Sequence, residues 1–295
     1  MNRLWSAVLL GVVVAAGAQP PVAPSSPDAT VMLAAVSRDE SMLTGGIGPS
    51  KWTGKGTVAV EPLAHLTASG EWSGLACSSS ANDTSTGQRN CLEFAHEYLS
   101  RPHVYTVISA DGNGAVVHAA PTTLDECYGY RGAGTYSGAT IRKSAIAASS
   151  AEFFAESALP RVLPQREGVA VRKALSAFVP KGLDTTEKLR IVAVRLEGQD
   201  MVVVQRVFAD IANMPERYKL VFAVGTMGGG QLHILHWKQS SVDEEEALLG
   251  TIRLKNGGRE FLVTAVSDPE SHFFRVYGIR AGRLILIYTG GGFSC

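Results

Sequence analysis

The chain has 295 residues, 27 basic against 27 acidic side chains, 45% hydrophobic and 18% charged residues, 31 Gly and four Cys. That length buries a sizeable core, as one large or two medium domains, without a framework of metals or dense disulfides. The apolar fraction excludes a disordered chain, and the lack of a basic excess argues against nucleic acid as a partner.

Residues 1–18 read as a signal peptide. Arg3 and the free amine give a positive end, Leu4 to Ala15 is apolar apart from Ser6 and Gly11, and Ala16-Gly17-Ala18 offers small residues for cleavage after Ala18. The apolar run falls short of the ~20 residues a membrane helix needs. The expectation is therefore a secreted or periplasmic protein with no stable span after cleavage; the rival is an uncleaved anchor. No Cys follows the run, so an acylated lipoprotein is not expected.

Export changes how the cysteines read. Cys77, Cys91, Cys127 and Cys295 form an even set in an oxidising compartment. The favoured pairing is Cys77–Cys91, because the intervening loop is rich in Ser, Thr, Asn and Gly and its closure contributes ~3 kcal/mol in the chain-entropy model. Cys127–Cys295 follows, tying the C-terminus to the N-terminal half. A catalytic thiolate or a zinc ligand competes with this reading, but no C-x-x-C occurs.

Gln19 to Asp28 holds four Pro in ten residues and reads as an extended linker. Val31–Leu43 has near-helical spacing and predicts a short helix, with Thr30 as its cap and Gly45-Gly46 as its stop. Thr57–Val60, Val104–Ala110 and Ala115–Ala119 predict strands, and Asp111-Gly112-Asn113-Gly114 signals a hairpin. Cys91–Leu99 predicts a short helix ended at Arg101-Pro102. Trp52-Thr53-Gly54, Trp72-Ser73-Gly74 and Tyr136-Ser137-Gly138 share an aromatic–hydroxyl–glycine pattern that resembles strand starts in calycin-like small barrels; aromatics packed over strand glycines are the simpler reading. Ala145–Leu159 is Ala-rich and predicts helix until Pro160 and Pro164 interrupt it.

From Lys188 to Tyr288, eight strand-like runs are joined by connections too short for helical crossovers, so neighbouring strands are antiparallel and a doubly wound parallel sheet is excluded for this half. Val194-Arg195-Leu196 matches Ile252-Arg253-Leu254, and Asp210 matches Asp268, at an offset of 58; Gly230-Gln231-Leu232 matches Gly282-Arg283-Leu284 at 52. This implies a duplicated four-stranded meander. Such a unit, over about residues 187–289, resembles the β-propeller repeats of secreted proteins of the FG-GAP or VCBS type. The resemblance implies blades. It does not carry calcium over, because Glu197-Gly198-Gln199-Asp200 and Lys255-Asn256-Gly257-Gly258 stand where the family's D-x-D-x-D-G loop belongs. Two blades cannot close a ring: either the N-terminal strands supply more, or the eight strands form a sandwich or barrel.

The expected fold is thus mainly β, with antiparallel four-stranded meanders duplicated in the C-terminal half and a few short helices. The expected divisions are signal peptide 1–18, linker 19–30, disulfide-containing β-rich region 31–143, partly helical connector 144–182 and duplicated β region 183–295.

No catalytic, cofactor or metal motif stands out. Gly70-Glu71-Trp72-Ser73-Gly74 misplaces the serine of a nucleophile elbow, Gly132-x-Gly134 lacks the third glycine of a dinucleotide loop, and His96-Glu97 has Ser100 where a zinc protease needs histidine. His233 and His236 are three apart on a strand and are expected on opposite faces unless a bulge intervenes. Asp243-Glu244-Glu245-Glu246 reads as a solvated turn, and Asn82-Asp83-Thr84 is a formal glycosylation acceptor. Trp237 and Tyr288 are read as packing aromatics rather than a recognition surface. The function expected is an exported, non-enzymatic β-protein binding or scaffolding an unspecified ligand or protein; the alternative is an extracytoplasmic hydrolase whose Ser, His and acid meet only in space. A third option is a small-ligand carrier built on an N-terminal barrel.

Overall fold

Six N-terminal strands close on themselves. The computed structural model describes residues 30–38, 56–75, 85–121, 132–176, 189–208, 219–240, 244–267 and 271–294. Strands β1 (Thr30–Ser37), β2 (Thr57–Thr67), β4 (His103–Val107), β5 (Val116–Ala119), β6 (Gly132–Ser137) and β7 (Ser144–Ala148) pair in the cyclic order β1-β7-β4-β5-β6-β2, and the β1–β2 ladder shuts the ring. Every pairing is antiparallel. The short β3 (Trp72–Ser73) extends from β2 outside the ring.

Alternation along the strands makes two cores from one wall. Met32, Ala34, Val36, Val58, Val60, Tyr105, Val117, Ala145 and Ala147 fill the inside, joined by Cys91 and Leu99 from helix α1 (Ser85–Phe94) and the wide turn that continues it over Ala95–Leu99. Gly134 of the abandoned dinucleotide motif is needed here for packing: a Cβ would come within 2.9 Å of Val60 Cγ2. Leu33, Ala35, Leu63, Ile146 and Ala148 face outward and are buried against a second sheet.

That second, inner sheet runs β16-β15-β14-β13-β8, from β13 (Glu245–Leu254), β14 (Glu260–Ser267), β15 (Ser271–Arg280), β16 (Arg283–Ser294) and β8 (Phe154–Ala155). A third, outer sheet runs β12-β11-β10-β9, from β9 (Leu189–Leu196), β10 (Gln199–Phe208), β11 (Lys219–Gly228) and β12 (Gln231–Ser240). The two sheets bury Val194, Met201, Val203, Phe222 and Val224 against Leu248, Leu262, Tyr277 and Leu284. Helix α2 (Gln165–Ser176) covers the far face of the outer sheet with Val171 and Leu175. The layers are therefore barrel, inner sheet, outer sheet, helix. No helix among the described residues is long and apolar enough to cross a membrane.

The protein is mainly β and antiparallel, as the sequence predicts. Several expectations are corrected. The helix predicted from Val31 is strand β1: its six apolar residues are buried alternately on both faces, which no one-sided helix would require. The Ala-rich stretch after Ser144 is strand β7 and then β8. β7 pairs with β1 and β4 and is buried along its whole length, so tertiary packing overrides alanine's helix propensity. The barrel therefore reaches Ala148, beyond the expected boundary at 143, and the helix of the connector starts only after Pro164. Tyr136-Ser137 ends β6 instead of starting a strand. The N-terminal strands add no blades; they form the barrel, and the eight C-terminal strands make two face-packed sheets.

Candidate functional site

A strap of chain after β8 borders an open cavity large enough for a small molecule. Phe153 and Phe154 are buried in the core and anchor its start. There Ala155 and Phe154 pair with Arg253 and Leu254 on the edge of the inner sheet. At its other end Arg161 forms a two-bond bridge with Ala193 on the edge of the outer sheet, at 2.8 and 2.9 Å, and its guanidinium holds Asp200 at 2.8 Å. Residues 156–160 thus arch from one sheet edge to the other. This also protects two edge strands that would otherwise present unpaired backbone.

Beneath the arch lies an open cavity of about 560 Å³ lined on the strap side by Glu156, Ser157, Ala158 and Leu159 and opposite them by Arg195, Gly198, Arg253 and Glu260, together with Ala110. Its chemistry is mostly spoken for on one side. Glu260 takes Arg253 Nε at 3.4 Å on one oxygen and the Glu197 N–H on the other. On the other side, Ser157 is 7% exposed, and its buried Oγ has no hydrogen-bond partner among the described residues. Arg195 and Arg253 are the central residues of the two matching tripeptides, brought to the same opening.

A second polar cluster lies between the sheets. Glu246, 5% exposed, accepts hydrogen bonds from Thr264 (2.8 Å), Tyr277 (2.7 Å) and Arg275 (2.7 Å), while Gln205 of the outer sheet donates to its backbone carbonyl at 3.0 Å. Burial, with the Glu246 carboxylate second, raises the Tyr277 hydroxyl far above its ordinary range. His236 lies 5.1 Å from the Tyr277 ring. Burial lowers its pKa, and Arg275 and Lys238 add to that against the opposing pull of Glu246. A third contact joins barrel to inner sheet: the fully buried His272 and Glu61 approach to 3.5 Å, and the other imidazole nitrogen meets Ser267 Oγ at 2.9 Å.

The sequence-derived candidates fare unevenly. A bulge opposite Val224/Gly225 turns His236 onto the face that looks toward the inner sheet, where it contacts Phe222 and Tyr277. The His233 ring lies beside Gly228 on that same face. The strict alternation expected for the two histidines therefore fails, and they still do not form a chelating group: no set of three or more His, Cys, Asp or Glu gathers among the described residues. The acidic run is not a solvated turn throughout, since Glu246 is the centre of the interlayer network. Tyr288 packs on Trp72 at 5.8 Å, and Trp237 packs on the outer-sheet core, so both are packing aromatics. Cys91 is buried on α1, and no cysteine among the described residues is free. Cys77, Cys127, Cys295, Asp210, Asp268 and Asn82 lie outside the described residues. Sequence reasoning missed Ser157 and Glu246; the signal for the latter was Thr264, a lone hydroxyl within an apolar strand. Compared with known protein families, curated proteins and solved structures, the chain matches none.

Proposed function

We propose that the mature chain is an exported, non-enzymatic binding protein whose ligand occupies the cleft beneath the strap. The observation that supports this is the lining of the cleft: Glu156 and Arg195 border it with no side-chain partner among the described residues, so a ligand can engage both. The cleft has the size and the few convergent polar groups of a small-molecule site. In this reading residues 1–18 are removed at export, Cys77–Cys91 and Cys127–Cys295 pair, and the two C-terminal meanders descend from one unit of the propeller-repeat kind.

Native mass spectrometry of the mature chain against anionic, neutral, cationic and zwitterionic small molecules tests the function. A saturable one-to-one adduct is expected, lost in Ala158→Trp and in Leu159→Trp, each of which adds bulk at the lining of the cleft. Absence of any adduct, or one indifferent to both variants, overturns the proposal. The contact of Ser267 with His272, and of His272 with Glu61, favours a hydrolase as the second reading. A fluorophosphonate probe that labels Ser267 in the wild type and not in His272→Ala would decide for it.

A further inference from the structure

We infer that the ligand of this cleft is a zwitterion of the amino-acid or short-peptide class, held with its carboxylate at Arg195 and its ammonium at Glu156; the inference rests on the cleft being the binding site.

The argument is a charge inventory of the lining. Four ionised side chains border the cavity, Glu156, Arg195, Arg253 and Glu260. Two of them satisfy each other: Arg253 and Glu260 form a pair at 3.4 Å, and the second Glu260 oxygen is taken by the Glu197 N–H. The other two have no ion pair or hydrogen bond among the described residues. The cleft therefore presents one uncommitted cation and one uncommitted anion, carried by different elements: Arg195 on β9, Glu156 on the strap. A purely anionic ligand would meet repulsion from Glu156, and a purely cationic one from Arg195. A neutral sugar could hydrogen-bond to both but would neutralise neither charge. A molecule bearing both charges uses both.

The remaining wall fits a side chain. Leu159 lines the cavity yet is 60% exposed, and Val162 just beyond the strap is 87% exposed. Large aliphatics left in solvent beside a polar site supply an apolar rim on which the ligand's own side chain can lie. The guanidinium suits a carboxylate because its fork of N–H donors matches two oxygens, which an ammonium cannot do.

The test uses the dipeptide Leu-Leu with its N-acetylated and C-amidated forms, titrated by calorimetry into the full mature chain. Each capped form is expected to bind about tenfold more weakly or worse, the loss of one charge-assisted hydrogen bond. Arg195→Gln should weaken the free dipeptide and abolish discrimination against the amide alone. Glu156→Gln should do the same for the acetylated form alone. Both residues are exposed, so neither variant threatens folding. Equal binding of all three forms, or discrimination unchanged in the variants, overturns the inference while leaving a binding cleft intact. Binding of glucose, succinate or spermidine but no dipeptide also overturns it, again without touching the cleft. Failure of every probe sinks the cleft itself.

Discussion

The inner and outer sheets have the same four-strand order and the same devices, yet occupy different environments. In each, the last hairpin turns on two residues with positive φ: Gly229-Gly230 at 59° and 77°, Ala281-Gly282 at 50° and 73°. In each, the last strand bulges at the same relative place, opposite Val224/Gly225 and opposite Val276/Tyr277. Matching residues also point the same way through the stack. Val194, Phe222 and Val224 face the inner sheet, while Ile252, Phe274 and Val276 face the barrel. Two sheets of an ordinary sandwich would turn matching faces toward each other. Here they are stacked in one direction, and the barrel forms the next layer. One difference separates the two sheets: Val194 pairs with Met201, but Ile252 pairs with Phe261, so the first hairpin of the inner sheet is two residues longer than the offset of 58 would give.

The sharpest test of this equivalence is to truncate matched aromatics. Phe274 is 0% and Phe222 2% exposed, at the centres of successive layers. Each change to Ala should cost about 3–5 kcal/mol in denaturant unfolding, since a cavity opens in a layer closed on both sides. Phe274→Ala should lie at the upper end, because the inner sheet is enclosed by two cores. A Phe222→Ala loss under about 1 kcal/mol would show that the outer sheet is an appendage rather than a layer of the core.

The interlayer network gives the next effect. Glu246→Leu removes the acceptor of the Tyr277 hydroxyl, leaves Thr264 only its longer bond to the Arg275 carbonyl at 3.4 Å, and removes one of the two carboxylates on Arg275; Glu244 remains at 3.1 Å. We expect a loss of about 3 kcal/mol, at the low end for breaking a buried pair because that partner persists. Glu246→Gln should recover part of it, as the amide oxygen still accepts a hydroxyl. A neutral or stabilising Glu246→Leu would mean that the network sets only the sheets' relative placement.

How much of this was legible follows from which signal each residue carried. The C-terminal strands and turns were readable because apolar runs alternate with Gly-containing pairs, a pattern of local origin. β1 and β7 were misread because short runs buried on both faces have no periodicity to separate strand from helix, and Ala favours the wrong one. The candidate site was almost illegible. Ser157 becomes special only when the strap crosses between two sheet edges, and Arg195 and Arg253, visible as a repeated motif, gave no sign that they would share a cavity. Glu246 was hidden in a run of acids that composition assigns to solvent.

Turn residues come next in size. Gly229 and Ala281 hold equivalent left-handed positions, and a Cβ at Gly229 would meet nothing within 4 Å. Any effect there is backbone strain alone. Gly229→Ala should destabilise by about 1 kcal/mol, while Ala281→Gly should stabilise by less, since relief of the strained φ is partly offset by the greater freedom of glycine in the unfolded chain. Opposite signs in thermal melts would establish the equivalence of the turns; equal signs would end it.

The smallest effect is on pH. Burial lowers the pKa of His236 between the sheets and of His65 on β2 below the ordinary 6.5. The unfolded chain then binds protons more readily than the folded one, so stability rises with pH across the titration. The contribution is complete above about pH 6.5 and is lost as pH falls from there through the depressed folded values. Protonated His236 would also face Arg275 and Lys238, with only Glu246 and Glu244 to offset them and the Tyr277 hydroxyl neutral. Melting temperatures should therefore fall between pH 7 and pH 5, and His236→Gln and His65→Gln should each flatten that fall. If only His65→Gln flattens it, the interlayer space around His236 admits enough water to hold the charge, and the two sheets are less tightly sealed than the barrel.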